Sequence, residues 1–191
     1  MLLIDADGRR AETVREELEA QGFQVVAMIA GVVGLTTRVR ESGADVIVCG
    51  IDDPSRDALD SMRALARDEP RPVVLFAERS APEQIEAAIE AGVAAYVAEG
   101  LDPARVRPVI DVAIQQFRAY QALRGVLART QAELEERKVI ERAKGLLMQA
   151  RGLDEDQAHQ ALRRTAMDHG QKLVEAAKRI LAQRMIKKHN P

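Results

Sequence analysis

The sequence predicts a doubly wound parallel α/β domain, then a long helix, then a small all-α bundle, and three observations carry that prediction. First, short stretches that are apolar throughout alternate with helical periodicity over the first hundred residues. Strands with no polar face need cover on both sides, which a parallel sheet flanked by helices provides. Second, the chain carries no proline between Pro108 and Pro191, and only Gly125 and Gly145 interrupt residues 109–151. That stretch permits one very long helix, or one bent at Gly125. Third, the net charge of −2 hides a partition: residues 1–136 hold 15 Lys/Arg against 24 Asp/Glu, and residues 137–191 hold 13 against 6. A basic module on an acidic one suggests a polyanion reader under the control of a regulatory domain.

In chain order, Leu2-Leu3-Ile4 reads as a buried strand ending in Asp5 and Asp7, and Gly8–Gln21 as the first helix. Phe23–Met28 reads as a strand, Gly31–Ser42 as a helix, Asp45–Ile51 as a strand, Pro54–Asp68 as a helix and Pro72–Phe76 as a strand. Pro82–Ala91 and Ala94–Val97 supply the fourth helix and fifth strand. The carboxyl-end loops of such a sheet are where a site lies. In the long helix, Ala113, Tyr120, Leu127 and Leu134 recur every seven residues with Phe117 at the complementary position, while Arg124, Gln131 and Lys138 weaken the seam. Two readings stay open for it: a homodimeric coiled coil, or a linker helix packing Phe117 and Tyr120 on its own N-terminal domain.

Three short helices follow. The first ends near Ala150, the second runs from Asp154 to Asp168, and the third from Gln171 to Ile186. Asp154 is placed to cap the second, and Gly170 to end it. In Arg137–Met148, Val139, Ile140, Ala143, Leu146 and Leu147 form a buried stripe, and Arg137, Lys138, Arg142 and Lys144 are expected on the remaining arc. Gly145 costs about 1 kcal/mol relative to Ala in mid-helix, which points to a helix or a ligand packing close there.

Composition excludes several classes. Aromatic residues are 3% of the chain, without Trp, so no stacking platform of RRM type is expected. No apolar run approaches the roughly 18 residues that span a membrane, and the first residues lack the basic region of a secretion signal, so a cytoplasmic protein is expected. The single cysteine, Cys49, sits in an apolar strand and reads as a small core hydrophobe. No cluster has metal-ligand spacing, no cofactor is implied, and the three His, all late in the chain, offer no catalytic constellation. An enzyme is not expected.

By strand order, helix lengths and the acids after the first strand, residues 1–116 resemble the receiver domain of response regulators, a flavodoxin-like fold. The resemblance implies an acidic pair after strand one, a phosphoacceptor Asp closing strand three, a hydroxyl closing strand four and a Lys closing strand five. Asp5 matches the pair, with Asp7 beyond it, but Gly50 stands at the acceptor position, Ala77 at the hydroxyl position and Glu99 at the lysine position. Phosphoryl transfer to a carboxylate needs that nucleophile, a metal and a nearby cation. Asp52 or Asp53, with Asp5 and Asp7, forms at most a degenerate acidic pocket, against a plainer reading as solvated acids at strand ends and helix caps. A pseudo-receiver regulated by partner contact, without phosphorylation, is the expectation.

Residues 137–191 carry a second resemblance. Ile140-Glu141-Arg142-Ala143-Lys144-Gly145-Leu146-Leu147-Met148, then Gly152-Leu153-Asp154-Glu155-Asp156-Gln157-Ala158, Leu162-Arg163-Arg164 and Leu173-Val174-Glu175-Ala176-Ala177 resemble the ANTAR domain of RNA-binding transcription antiterminators. With Ala94–Leu101 and a connector over 117–136, the chain resembles regulators of nitrate/nitrite assimilation of the NasT type. The resemblance implies binding of paired stem-loops in a leader transcript, and control by a NasS-like nitrate sensor protein. Loop readers need cations for the backbone and small or polar groups at the bases. Arg142, Lys144, Arg163 and Lys172 are the leading candidates, then Arg164, Lys178 and Arg179, with Ala143 and Gly145 permitting close approach; Lys187, Lys188 and His189 read as solvated. A DNA-binding response regulator and a protein-interaction module are the alternatives.

Overall fold

Alternate side chains of the strands enter two different cores. Leu2, Ile4, Ile47, Cys49, Val73 and Leu75 pack on one side with Leu35, Val39, Leu59, Met62 and Leu65. Leu3, Val48, Val74 and Phe76 pack on the other with Val14, Leu18, Val106, Ile110 and Ala113. This is the two-residue period of a strand covered on both faces. The computed structural model describes residues 1–52, 54–78, 80–98 and 103–188, the side chains of 103–105 and 184–188 excepted. The expectations for Asp53, Glu99 and His189 fall outside them.

The elements are β1 (Leu2–Asp5), α1 (Gly8–Ala20), β2 (Ala27–Ile29), α2 (Leu35–Ser42), β3 (Ile47–Gly50), α3 (Arg56–Asp68), β4 (Val73–Phe76), α4 (Pro82–Glu90), β5 (Ala95–Val97), α5 (Pro103–Arg151), α6 (Glu155–Asp168) and α7 (Leu173–Lys188). All strands are parallel in the order β2-β1-β3-β4-β5, the predicted doubly wound sheet. β1 and β3 are adjacent, and their register places Asp5 beside Gly50 at the carboxyl edge.

Several predicted elements are shorter in the structure. The helix expected from Gly31 begins at Leu35, because Gly34 adopts a left-handed conformation, φ +68°, that breaks helical geometry there. The second strand pairs only through Ala27–Ile29, opposite Leu2–Ile4, while Phe23 and Val25 pack from beside it. Cys49 is fully buried, and burial pushes its thiol pKa up, so it remains protonated in the core.

The chain divides into two compact units, Met1–Gln121 and Ala122–Pro191. Helix α5 is continuous through Gly125 and contributes to both. In the second unit, Ala143, Leu147, Ala158, Leu162, Ala166, Ala176 and Ala177 form the core, with Val139, Ile140, Leu173, Ile180 and Leu181 at its edge. Small residues at most of these sites let the three helices approach closely. Ala113 is buried in the first unit's core and is no part of an exposed seam, whereas Leu123, Leu127 and Leu134 are each more than half exposed. Among the described residues no helix is long and apolar enough to cross a membrane.

Candidate nucleic-acid interface

Helix α6 is fixed by its N-terminus. Asp154 Oδ1 accepts from Gln157 N–H at 2.7 Å, and Gln157 Oε1 accepts from Asp154 N–H at 3.1 Å, a reciprocal cap that satisfies two otherwise orphaned donors. Lys144 adds a tie between helices. Its Nζ donates to Glu155 Oε1 at 2.8 Å and to Glu141 Oε1 at 3.0 Å, joining α5 to the first turn of α6. The residue is only 6% exposed, so its aliphatic stem is packed while its charge is paired with two exposed carboxylates at the edge of the bundle. The Glu155 hydrogen bond, then that of Glu141, raises the Lys144 pKa, and Lys144 holds the Glu155 carboxyl below its ordinary range.

Lys144 and Gly145 are placed differently from the expectation, whereas Ala143 lies in the predicted buried stripe and Lys178 is exposed but not free. Lys144 does not project from the cationic arc, because its position bordering Ala143 and Leu147 turns it toward α6. Ala143 is fully buried in the core and offers no surface. Gly145 is half-buried, and among the described residues a Cβ there would meet nothing within 4 Å. Lys178 is exposed but paired with Glu175 at 2.8 Å.

The remaining predicted cations behave alike. Arg142, Arg163, Arg164, Lys172 and Arg179 are exposed and make no hydrogen bond or ion pair among the described residues. Arg163 and Arg164, about 100° apart on α6, project along different flanks of it. Arg151, which the sequence pattern did not single out, is also exposed and unpaired among those residues. It sits in the last turn of α5, where it lies beside Ala161 and Thr165 of α6. Its signal in the sequence is weak: it closes a helix, where a basic residue is expected for the dipole alone.

At the carboxyl edge of the sheet the arrangement is the reverse. Asp5, whose side chain is fully buried, receives Arg10 Nε at 2.6 Å and Nη2 at 3.0 Å. Arg10 Nη1 also reaches Asp52 Oδ1 at 3.0 Å and Glu78 Oε1 at 3.2 Å. One guanidinium thus bridges three carboxylates, from the end of β1 and the segments after β3 and β4, and the Asp5 hydrogen bond raises its pKa further, so it stays charged. Asp7 is not part of this pocket: its carboxylate caps α1, accepting from Arg9 N–H at 2.9 Å and Arg10 N–H at 3.3 Å. Its backbone N–H donates to Asp5 Oδ1 at 2.8 Å. Glu78, which the sequence pattern did not include, is the third acid on Arg10.

Gly50 has a steric reason here. A Cβ on it would lie 2.6 Å from Asp5 Oδ2 and 3.2 Å from Asp5 Cγ, so Asp5 already occupies the space an acceptor side chain would need. Ala77, at the hydroxyl position, is buried, and its N–H donates to Val97 O at 2.9 Å.

Comparison with known proteins fits both halves. Residues 128–181 match the ANTAR domain family. The transcriptional regulatory protein PdtaR of Mycobacterium tuberculosis is 30% identical over 171 residues, spanning 90% of this chain and 82% of that protein. The chain belongs to the ANTAR-domain regulatory proteins. A nitrate regulatory protein of Klebsiella oxytoca is 51% identical over 67 residues, 35% of this chain but 17% of that one. The N-terminal unit has the receiver fold. The receiver domain of NarL from Mycobacterium tuberculosis superposes with a TM-score of 0.52 at 21% identity, covering 59% of this chain and 93% of that domain. A CheY-like receiver from Methanospirillum hungatei gives 0.54 at 15% identity, covering 62% and 95%. In the ANTAR half of this chain, Lys144 and Ala143 hold the bundle together and the unpaired arginines lie on its surface.

Proposed function

We propose that this chain is a cytoplasmic RNA-binding transcription antiterminator. It binds paired stem-loops in leader transcripts of nitrate or nitrite assimilation operons, and its pseudo-receiver answers to a NasS-like nitrate sensor protein in place of phosphate. The observation that carries the reading is the set of exposed cations on the ANTAR bundle, Arg142, Arg163, Arg164, Lys172 and Arg179, none of which forms a hydrogen bond or ion pair with a carboxylate among the described residues. Such cations release counterions when they meet a phosphate backbone. The nitrate assignment rests on the Klebsiella relative alone. Control by a partner is supported by the pocket at Gly50, where the nucleophile is missing and Arg10 stands among the acids.

The working division is a pseudo-receiver over 1–116, a connector over 117–136 and the RNA-binding module over 137–191. In the connector, Leu127 and Leu134 stand seven residues apart and Leu123 lies one turn before Leu127, all exposed, and a second copy of this chain would cover them as a coiled-coil homodimer. Paired subunits suit paired hairpins.

A gel shift with a two-hairpin leader RNA and a duplex DNA of matched length tests the proposal. Preference for the RNA is expected. Preference for the duplex would make the chain a DNA-binding regulator, and binding to neither would leave it a protein-interaction module.

A further inference from the structure

On the C-terminal bundle, two depressions adjoin. The larger, about 670 Å³, has an apolar part made by Leu147, Ala161 and Ile180 and a basic part made by Arg151, His169 and Arg179. The smaller, about 380 Å³, shares Arg151, Ala161 and Thr165 with it and adds Gln160 and Arg164. Both volumes fall in the range of sites that hold small ligands. Among the lining residues described, Asp168 in the smaller depression is the one carboxylate. None of the three arginines makes a hydrogen bond or ion pair among the described residues.

We infer that the two depressions receive consecutive unstacked nucleotides of an RNA loop, with the phosphate between them at Arg151. The inference rests on the RNA-binding reading above and locates its contact surface. Three features lead to it. Ala150 and Ala161, short side chains among longer ones, leave recesses in which a flat base can lie. Gln149 and Gln183 beside the larger recess carry amide groups that both donate and accept, as base edges require. Arg151 belongs to both recesses, and a guanidinium can bind a phosphate with its edge while a base stacks on its plane.

A stem does not fit this surface. Paired bases are stacked and turn their edges inward, whereas loop bases can be splayed out singly. Lys144 lines neither recess, in keeping with its burial between Glu141 and Glu155.

The test uses the full-length protein and a pool of RNA hairpins with one common stem and a randomised loop, beside the same stem as a blunt duplex. Wild type is expected to prefer the hairpins. Arg151→Ala should lower hairpin affinity about tenfold and reduce the salt slope. Thr165→Leu adds bulk to both recesses without changing charge, and should weaken hairpin binding with the salt slope unchanged. Its hydroxyl bonds only the Ala161 carbonyl of its own helix, and circular dichroism checks that the bundle stays folded. Arg56→Ala, an exposed arginine of the N-terminal unit without an ion pair among the described residues, should change nothing. Equal affinity of wild type for hairpin and blunt duplex would overturn the inference. So would hairpin affinity that survives both Arg151→Ala and Thr165→Leu but disappears in Arg142→Ala or Arg163→Ala; the recesses would then fit an acidic protein segment. Failure of wild type to bind any RNA would instead refute the RNA-binding reading itself.

Discussion

Arg10 and Arg151 are the same residue type put to opposite uses. Arg10 lies between Asp5, Asp52 and Glu78 and is neutralised where it stands. Arg151 lies on a surface among other unpaired cations. The difference comes from what is buried nearby. Asp5 is enclosed beneath the β1 and β3 strand ends, and an enclosed carboxylate needs a counter-charge. Around Arg151 the core is built from Ala and Leu, which ask nothing of it. The acidic half therefore uses Arg10 to close a pocket, and the basic half leaves several of its arginines available for a polyanion.

The largest effect should come from removing the internal cation. Arg10→Ala would leave buried Asp5 without its partner and cost about 3 kcal/mol of stability, the low end for breaking a buried pair because Arg10 is itself a quarter exposed. Urea denaturation measures it, and a loss below about 1 kcal/mol would mean that Asp5 is solvated and the pocket is open. Gly50→Asp restores the acceptor in name only. It sets a Cβ 2.6 Å from Asp5 Oδ2, so it should cost about 2 kcal/mol from overpacking and remain unlabelled by acetyl phosphate. Labelling of that variant, or of wild type on any aspartate, would break the account of the pocket.

Lys144→Met should have a smaller effect, a lower thermal midpoint with the bundle still formed, since Glu141 and Glu155 are exposed enough to be solvated. The pH dependence gives it a signature. Lys144 is raised above its ordinary 10.5 and Glu155 is lowered below its ordinary 4.5. The stability from the pair is present between those values; it fades as pH falls below about 4.5 toward the lowered Glu155 value and as pH rises past about 10.5 toward the raised Lys144 value. The difference between wild type and Lys144→Met should shrink at both ends. A difference that persists unchanged well below pH 4.5 and well above pH 10.5 would show that packing of the stem, not charge, is what Lys144 contributes.

Apolar runs and helical stripes made the parallel sheet and the three-helix bundle legible, because burial leaves a continuous apolar strand or a 3.6-residue stripe in the sequence. The vacancy at Gly50 was legible as a missing nucleophile, but not as a space already filled by Asp5, since only the β1–β3 register brings the two together. Arg10 was invisible for the same reason: its acids are 5, 42 and 68 residues away. Lys144 and Arg142 look interchangeable in sequence, yet two positions on a helix are about 200° apart, enough to bury one and expose the other. Arg151 gained its meaning only from Ala161 and Thr165 on the next helix.

The contrast between closed and available cations is tested most directly by the salt dependence of hairpin RNA binding in wild type, Arg163→Ala/Arg164→Ala and Arg56→Ala. The double variant should flatten the slope of log K against log salt by about 0.7 for each phosphate that is no longer neutralised, with Arg56→Ala matching wild type. Equal slopes in all three, or an equal flattening in Arg56→Ala, would contradict it.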